Sequence, residues 1–294
     1  MYQLTVSVPP VQVEATEDLL LAGGAASVTL RDAGDHPLLE PLPGETPLWP
    51  EVLVSGLFED DVVVDDLRQL LADNLGIEPD ALRMLVEPVA ERDWVRAWMD
   101  DFQPMRFGER LWICPSNHAP PDPQAVNILL DPGLAFGTGT HPTTALCLQW
   151  LDAHPPKGLD VIDYGCGSGI LGIAALKLGA RHVRAVDIDP QALTATLDNA
   201  ARNAIPERYI ETLHPDALTD ADTDLLLANI LSGPLVELAP RLAALVRGSG
   251  AIVLSGILAE QAAAVQAAYL PWFRMTEPTL QDGWVRLQGT RLPL

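Results

Sequence analysis

Positive charge is scarce in this chain. Its 294 residues hold 18 Lys and Arg against 40 Asp and Glu, a formal net charge of −22 at pH 7. A field of that sign repels phosphate backbones, which disfavours nucleic acid as the main substrate, whereas a basic protein would be drawn in and steered. Long apolar runs are absent too: none approaches the roughly 20 residues that a membrane span needs. The N-terminus, MYQLTVSVPP, has neither a charged leader nor a cleavage-like site, so no targeting signal is read and a cytoplasmic protein is expected. Cysteine is limited to Cys114, Cys147 and Cys166, an odd number without metal-ligand spacing. They read as reduced thiols, and no metal site is expected.

What the chain does hold is apolar sequence, 48% of residues, at a length that exceeds one typical domain. Two domains are therefore expected. Strand-like alternation at 3–8, a helix at 14–21 stopping at Gly23-Gly24, and a strand at 26–31 precede a loop rich in Pro and Gly at 34–50. A strand at 52–58, a helix at 64–74 stopping at Gly76 and a strand at 82–88 complete the order β-α-β-β-α-β. That order predicts a small α+β ferredoxin-like domain over 1–90. It carries no Cys/His cluster or convergent acid pair. Glu59, Asp60, Asp61, Asp65 and Asp66 crowd the start of its second helix, as a patch for a basic partner or as a solvated acidic helix start. Trp94, Trp98 and Phe102 then fall on one face of a short linker helix at 91–104, before Pro104.

The catalytic half is expected over 105–294, and its centre is Val161-Ile-Asp-Tyr-Gly-Cys-Gly-Ser-Gly-Ile-Leu-Gly172. A β-branched run ends in an acid, passes Gly165, Gly167 and Gly169, and takes on helical period: strand, tight turn, helix. Glycines let the backbone turn sharply and bring a ligand against its amides, where the helix N-terminus adds unpaired N–H donors. A second strand ends at Asp187, about 20 residues on, a spacing that suits a carboxylate on both hydroxyls of a ribose. The site reads as built for an adenosine-containing cofactor. Gly167-x-Gly169-x-x-Gly172 also satisfies the dinucleotide pattern, which keeps a dehydrogenase in view. Three features favour S-adenosylmethionine: Asp163 in the turn would repel a pyrophosphate but hold the ammonium of a methionine moiety, the glycines run Asp-x-Gly-x-Gly-x-Gly, and an Asn and a closing hairpin follow downstream.

Strands at 161–163, 183–187, 209–213, 224–228 and 251–254 alternate with helices at 170–178, 190–203, 234–246 and 258–270, a doubly wound, Rossmann-like sheet with its ligand site beyond the strands' carboxyl ends. Strands at 273–280 and 284–290 joined across Gln281-Asp-Gly283 form a terminal antiparallel hairpin. Upstream, within 131–144, a loop holding Gly133, Gly137 and Gly139 is a candidate lid before a helix at 145–151. Thr143 or Thr144 can supply an N-cap hydroxyl or a ligand hydrogen bond, and His141 is either a general base or a structural loop histidine. Asn229, at the end of the strand at 224–228, is placed to accept from an attacking amine. Amino methyltransferases acting on adenine or glutamine often carry a related Asn-Pro-Pro-Tyr. Here Ile230 and Leu231 replace the prolines and no aromatic follows to stack a planar base, which argues for an aliphatic amine. Asp216 is either an adenine contact or a loop acid.

Taken together, Ala135-Phe-Gly-Thr-Gly-Thr-His-Pro-Thr-Thr144, Asp163-Tyr-Gly-Cys-Gly-Ser-Gly-Ile-Leu171, Asp187-Ile-Asp-Pro190 and Ala228-Asn-Ile-Leu-Ser-Gly-Pro234 resemble the signatures of the PrmA family, bacterial methyltransferases of the large-subunit ribosomal stalk protein L11. The resemblance implies a class I, S-adenosylmethionine-dependent methyltransferase with an N-terminal domain that grips the ribosomal protein. It implies methylation of lysine ε-amines and of the N-terminal α-amine. The family's cofactor contacts fall here on Thr144, Gly165, Asp187 and Asn229. For catalysis, Asn229 is expected to orient the amine and Thr144 to help close the lid. Position 164 is Tyr where related chains often have Phe. A methyltransferase for another protein or for a small-molecule amine is the alternative, and a cofactor-sensing protein without catalysis is a third.

Overall fold

A computed structural model describes residues 1–34, 46–60, 62–89, 103–131, 141–219 and 222–293. Most of the expected linker helix at 91–104, the candidate lid's Gly133, Gly137 and Gly139, and much of the loop at 34–50 lie outside the described residues. The chain divides into two compact units, 1–93 and 94–294.

The first unit runs β1 (Tyr2–Val8), α1 (Val13–Ala22), β2 (Ser27–Asp32), β3 (Val52–Phe58), α2 (Val64–Leu75) and β4 (Met84–Pro88). Its sheet has the order β2-β3-β1-β4 with every pair antiparallel. Period-two alternation sends Leu4, Val6 and Val8 into a core with Leu20, Val54, Phe58 and Leu71, all at most 1% exposed. Gly76 ends α2 at φ 67°, a left-handed cap that a Cβ would strain. Of the acidic cluster, Asp65 and Asp66 lie in the first turn of α2, where the helix dipole favours them, and Asp60 pairs with the N-terminal ammonium.

In the second unit, β5 (Met105–Phe107), β6 (Leu111–Cys114) and β7 (Val126–Leu129) form a small sheet, followed by α3 (Pro142–Ala153). The winding then proceeds through β8 (Asp160–Tyr164), α4 (Ile170–Lys177), β9 (His182–Val186), α5 (Pro190–Arg202), β10 (Ile210–Leu213), β11 (Thr223–Asn229), α6 (Ser232–Glu237), α7 (Ala239–Leu245) and β12 (Val246–Leu258). It closes with α8 (Ala262–Tyr269), β13 (Phe273–Met275), β14 (Thr279–Gln281) and β15 (Trp284–Arg291). The sheet order is β10-β9-β8-β11-β12-β15-β13, with β14 on β15. The first five strands are parallel and β15 is antiparallel to its three partners. Helices cover both faces, so the central strands are apolar throughout: Leu225 to Ala228 are at most 2% exposed.

Three expected elements differ in the structure. The helix at 234–246 is two, because Pro240 lacks the N–H and its ring crowds the turn before it. The strand at 273–280 is also two, interrupted before Pro278, which cannot donate to the ladder. The strand at 251–254 is the middle of a much longer β12, whose register with β15 shifts between Leu254 and Ile257. Among the described residues no helix is long and apolar enough to cross a membrane.

Candidate active site

The glycine turn sits where β8 ends and α4 begins. Gly165, Gly167 and Gly169 all have positive φ, at 78°, 54° and 77°. At Gly165 the requirement is double, because a Cβ there would also lie 2.1 Å from Ile230 Cγ2. The amides of Gly165 and Cys166 donate to Val186 O at 2.7 and 3.1 Å, folding the turn over the end of β9. Two carboxylates then hold its two ends. Asp187 Oδ2 accepts from Gly167 N at 2.9 Å and its Oδ1 from Asp189 N at 3.0 Å. Asp163 Oδ2 accepts from Gly172 N at 2.8 Å.

The structure places Asp163 inside β8, one residue before the strand's end and 1% exposed, where the sequence suggested a carboxylate within the turn. Burial, with a smaller contribution from the neighbouring Asp187 charge, pushes its pKa up to about 7, against the Gly172 hydrogen bond that favours the ionised form. The folded protein therefore holds a proton that the unfolded chain has already released above about pH 4. In the cofactor-free protein, stability contributed by Asp163 should fall as pH rises from about 4 to about 7 and then level off, a swing on the order of 4 kcal/mol. Thermal melts across that range should show a slope that Asp163→Asn abolishes; an unchanged slope in the variant would assign the proton elsewhere.

Asn229 ends β11, level with Ser255 of β12, and the β11–β8 register sets Ala228 opposite Tyr164, so Asn229 stands at the same sheet edge as the turn. Its Nδ2 donates to Thr144 Oγ1 at 3.2 Å, which leaves Oδ1 as the amide's acceptor. Ser255 Oγ donates to Thr143 O at 3.0 Å and fastens the start of α3 beside it. The N-cap of α3 is His141 rather than either threonine: Thr143 N donates to His141 Nδ1 at 3.4 Å, and Thr143 Oγ1 lies 2.8 Å from that nitrogen. This is the geometry of a structural cap. Burial lowers the His141 pKa. Asp216 is an exposed acid just past β10, beside His214.

The turn, Asp187, Asn229 and Thr144 thus meet at the carboxyl edge of the sheet, with Asp163 buried immediately beneath. Two residues there had no sequence signal. Trp284, at the start of β15, lies against His141 with ring centroids 4.7 Å apart at 70°. Gly256, at φ 84°, lets the Ile230 backbone approach so closely that a Cβ would lie 2.2 Å from Ile230 O. The three cysteines are free and buried, and burial pushes the Cys147 thiol up to about 12.

A bare glycine backbone suits close approach of a cofactor's methionine end. A strand-end carboxylate that keeps acceptor capacity after bonding Gly167 and Asp189 suits two ribose hydroxyls. With a parallel sheet closed by the antiparallel β15, the fold and this edge define a class I, S-adenosylmethionine-dependent methyltransferase. Within that class the chain belongs to the family described as Ribosomal protein L11 methyltransferase (PrmA), whose model matches residues 1–292. It is 53% identical over 294 residues to a ribosomal protein L11 methyltransferase of Marinobacter nauticus, covering 98% of each chain. It is 55% identical over 291 residues to one of Azotobacter vinelandii, again with 98% of each covered. A solved ribosomal protein L11 methylase from Lactobacillus delbrueckii subsp. bulgaricus superposes with a TM-score of 0.60 at 34% identity, covering 65% of this chain and 100% of that one.

Proposed function

We propose that this enzyme transfers methyl groups from S-adenosylmethionine to lysine ε-amines and the N-terminal α-amine of ribosomal protein L11, in the cytoplasm. The relatives matched over 98% of this chain carry that substrate in their names. The observation that carries the reading is the Asn229–Thr144 hydrogen bond at the rim of the glycine turn.

In this reading Asp187 takes the ribose hydroxyls, the amides around Gly165, Gly167 and Gly169 line the cofactor's path, and Asp163 supplies a buried acid beneath its methionine end. When bound, the cofactor supplies a methyl group already activated by a positive sulfur. What remains for the protein is to position and desolvate the amine, and no metal is needed. A lysine with pKa near 10.4 is protonated at neutral pH, so the neutral amine must be selected before attack, and an apolar approach lowers that pKa. Leu231, two residues after Asn229 and 55% exposed, offers such a surface. Asn229 Oδ1 accepts an amine N–H and so aims the lone pair, while Thr144 holds the amide in that orientation. We assign 1–90 as a ferredoxin-like substrate-recognition domain, 91–104 as the linker and 105–294 as the catalytic domain. The acidity of the chain suits a basic substrate.

Mass spectrometry of ribosomal protein L11 incubated with the full chain and labelled cofactor tests the assignment. Label is expected on lysine side chains and on the N-terminal amine. Label on neither, with turnover on another protein or on a small amine, would replace it.

A further inference from the structure

We propose, on the reading that this edge methylates amines, that the indole of Trp284 is the surface that positions a partly methylated amine and decides how many methyl groups one nitrogen receives. Trp284 opens β15 opposite Leu258 of β12, three residues beyond the Ser255 that lies beside Asn229. Its ring meets His141 at 4.7 Å. His141 Nδ1 lies 2.8 Å from Thr143 Oγ1, Thr143 O is held by Ser255, and Thr144 Oγ1 accepts from Asn229. An unbroken series of contacts therefore runs from the indole to the amide that would orient the amine. Trp284 is half-buried, so its ring is supported by the fold and not sealed within it. Burial disfavours charge on His141, so the neighbouring imidazole does not oppose a cation at neutral pH.

The need for such a surface follows from counting N–H groups. In each transfer the amine lone pair forms the new N–C bond while the S–C bond of the sulfonium donor breaks and its electron pair stays on sulfur. The positive charge passes to nitrogen, and the ammonium then loses a proton to water before it can attack again. A neutral primary amine offers Asn229 Oδ1 two N–H groups, a monomethyl amine one and a dimethyl amine none. The third transfer, which ends in a quaternary ion with no proton to lose, cannot be oriented by a hydrogen-bond acceptor. Dispersion against a ring face, and attraction of the developing cation to the indole, still act, and both grow as methyl groups replace hydrogens.

The experiment follows mono-, di- and trimethylated amines of ribosomal protein L11 by mass spectrometry over time, with the full-length wild type, Trp284→Leu and Trp284→Phe, alongside calorimetry of S-adenosylmethionine binding. Trp284→Leu is expected to slow the third transfer about tenfold and the first by no more than about threefold, so that mono- and dimethyl products accumulate. Trp284→Phe, with a weaker ring quadrupole, should give an intermediate distribution, and it decides the matter if the Leu variant is recovered with altered cofactor affinity. A trimethyl fraction unchanged in both variants, or all three transfers slowed by one factor, would overturn the proposal, as would a wild type that stops at one methyl per amine. A wild type that methylates no amine of L11 would instead remove the substrate assignment on which the proposal rests.

Discussion

Asn229→Ala is expected to lower kcat by about 100- to 1000-fold while S-adenosylmethionine affinity changes only a few-fold, the range found when one preorganised hydrogen-bonding group is removed from a reacting centre. The argument starts at β11, a strand buried on both faces that ends on this residue, so the Cα has little freedom. The side chain is then fixed from one end only. Its Nδ2 is committed to Thr144 Oγ1, itself on a threonine 2% exposed. With that end held, Oδ1 remains the amide's acceptor, and in the proposed role it would orient an amine without reorganisation at the moment of reaction. Thr144→Val should be milder, about tenfold in kcat, because the amide remains but its rotation is released. Single-turnover measurements at saturating cofactor and substrate separate these effects from product release. Undiminished turnover in Asn229→Ala with the cofactor still bound would eliminate the orienting role, and loss of cofactor binding alone would recast Asn229 as a cofactor contact.

The largest effect on stability is expected from Gly256→Ala. Its φ of 84° is a region that side chains rarely adopt, and the added Cβ would lie 2.2 Å from Ile230 O and 2.7 Å from Ile230 C. Both neighbours are backbone, so no rotamer change relieves the clash; either β12 or the segment after β11 must move. Strain of this kind, added to the positive φ, should cost about 3 kcal/mol or more in a denaturant titration. Ile230 is confined on its other side as well, since its Cγ2 occupies the space that a Cβ on Gly165 would need. The residue after Asn229 is therefore set between Gly165 of the turn after β8 and Gly256 of β12. Displacing it should cost activity beyond the loss of folded protein. Gly233→Ala is the matched comparison: nothing lies within 4 Å of its Cβ position and it falls in α6, so it should be neutral or slightly stabilising. A Gly256→Ala protein as stable and active as Gly233→Ala would mean that β12 yields at no cost.

Secondary structure was legible wherever the signal was local. The end of β3 at Phe58, the glycine that stops α2 and the β8-turn-α4 unit each depend on residues within a few positions of one another. Pro240 and Pro278 were equally visible, yet the elements around them were read as continuous. A short apolar run on either side of a proline resembles one longer element until its hydrogen bonds are counted. β5, three residues long, has no period of its own and exists because β6 pairs with it.

The amino-acid sequence by itself determined the class of chemistry. An acid, three glycines and a second acid after the next strand form a cofactor turn from neighbouring residues, and the overall charge selects against polyanionic substrates. Only the tertiary structure decided what surrounds the end of β11: that Thr144 holds Asn229, that His141 caps a helix, that Trp284 stands beside His141, and that Gly256 admits the Ile230 backbone. Apart from the His141 cap, which is local to α3, each of these contacts joins elements far apart in the chain, and such a pairing is specified by the packing of the whole sheet rather than by any pattern within one segment.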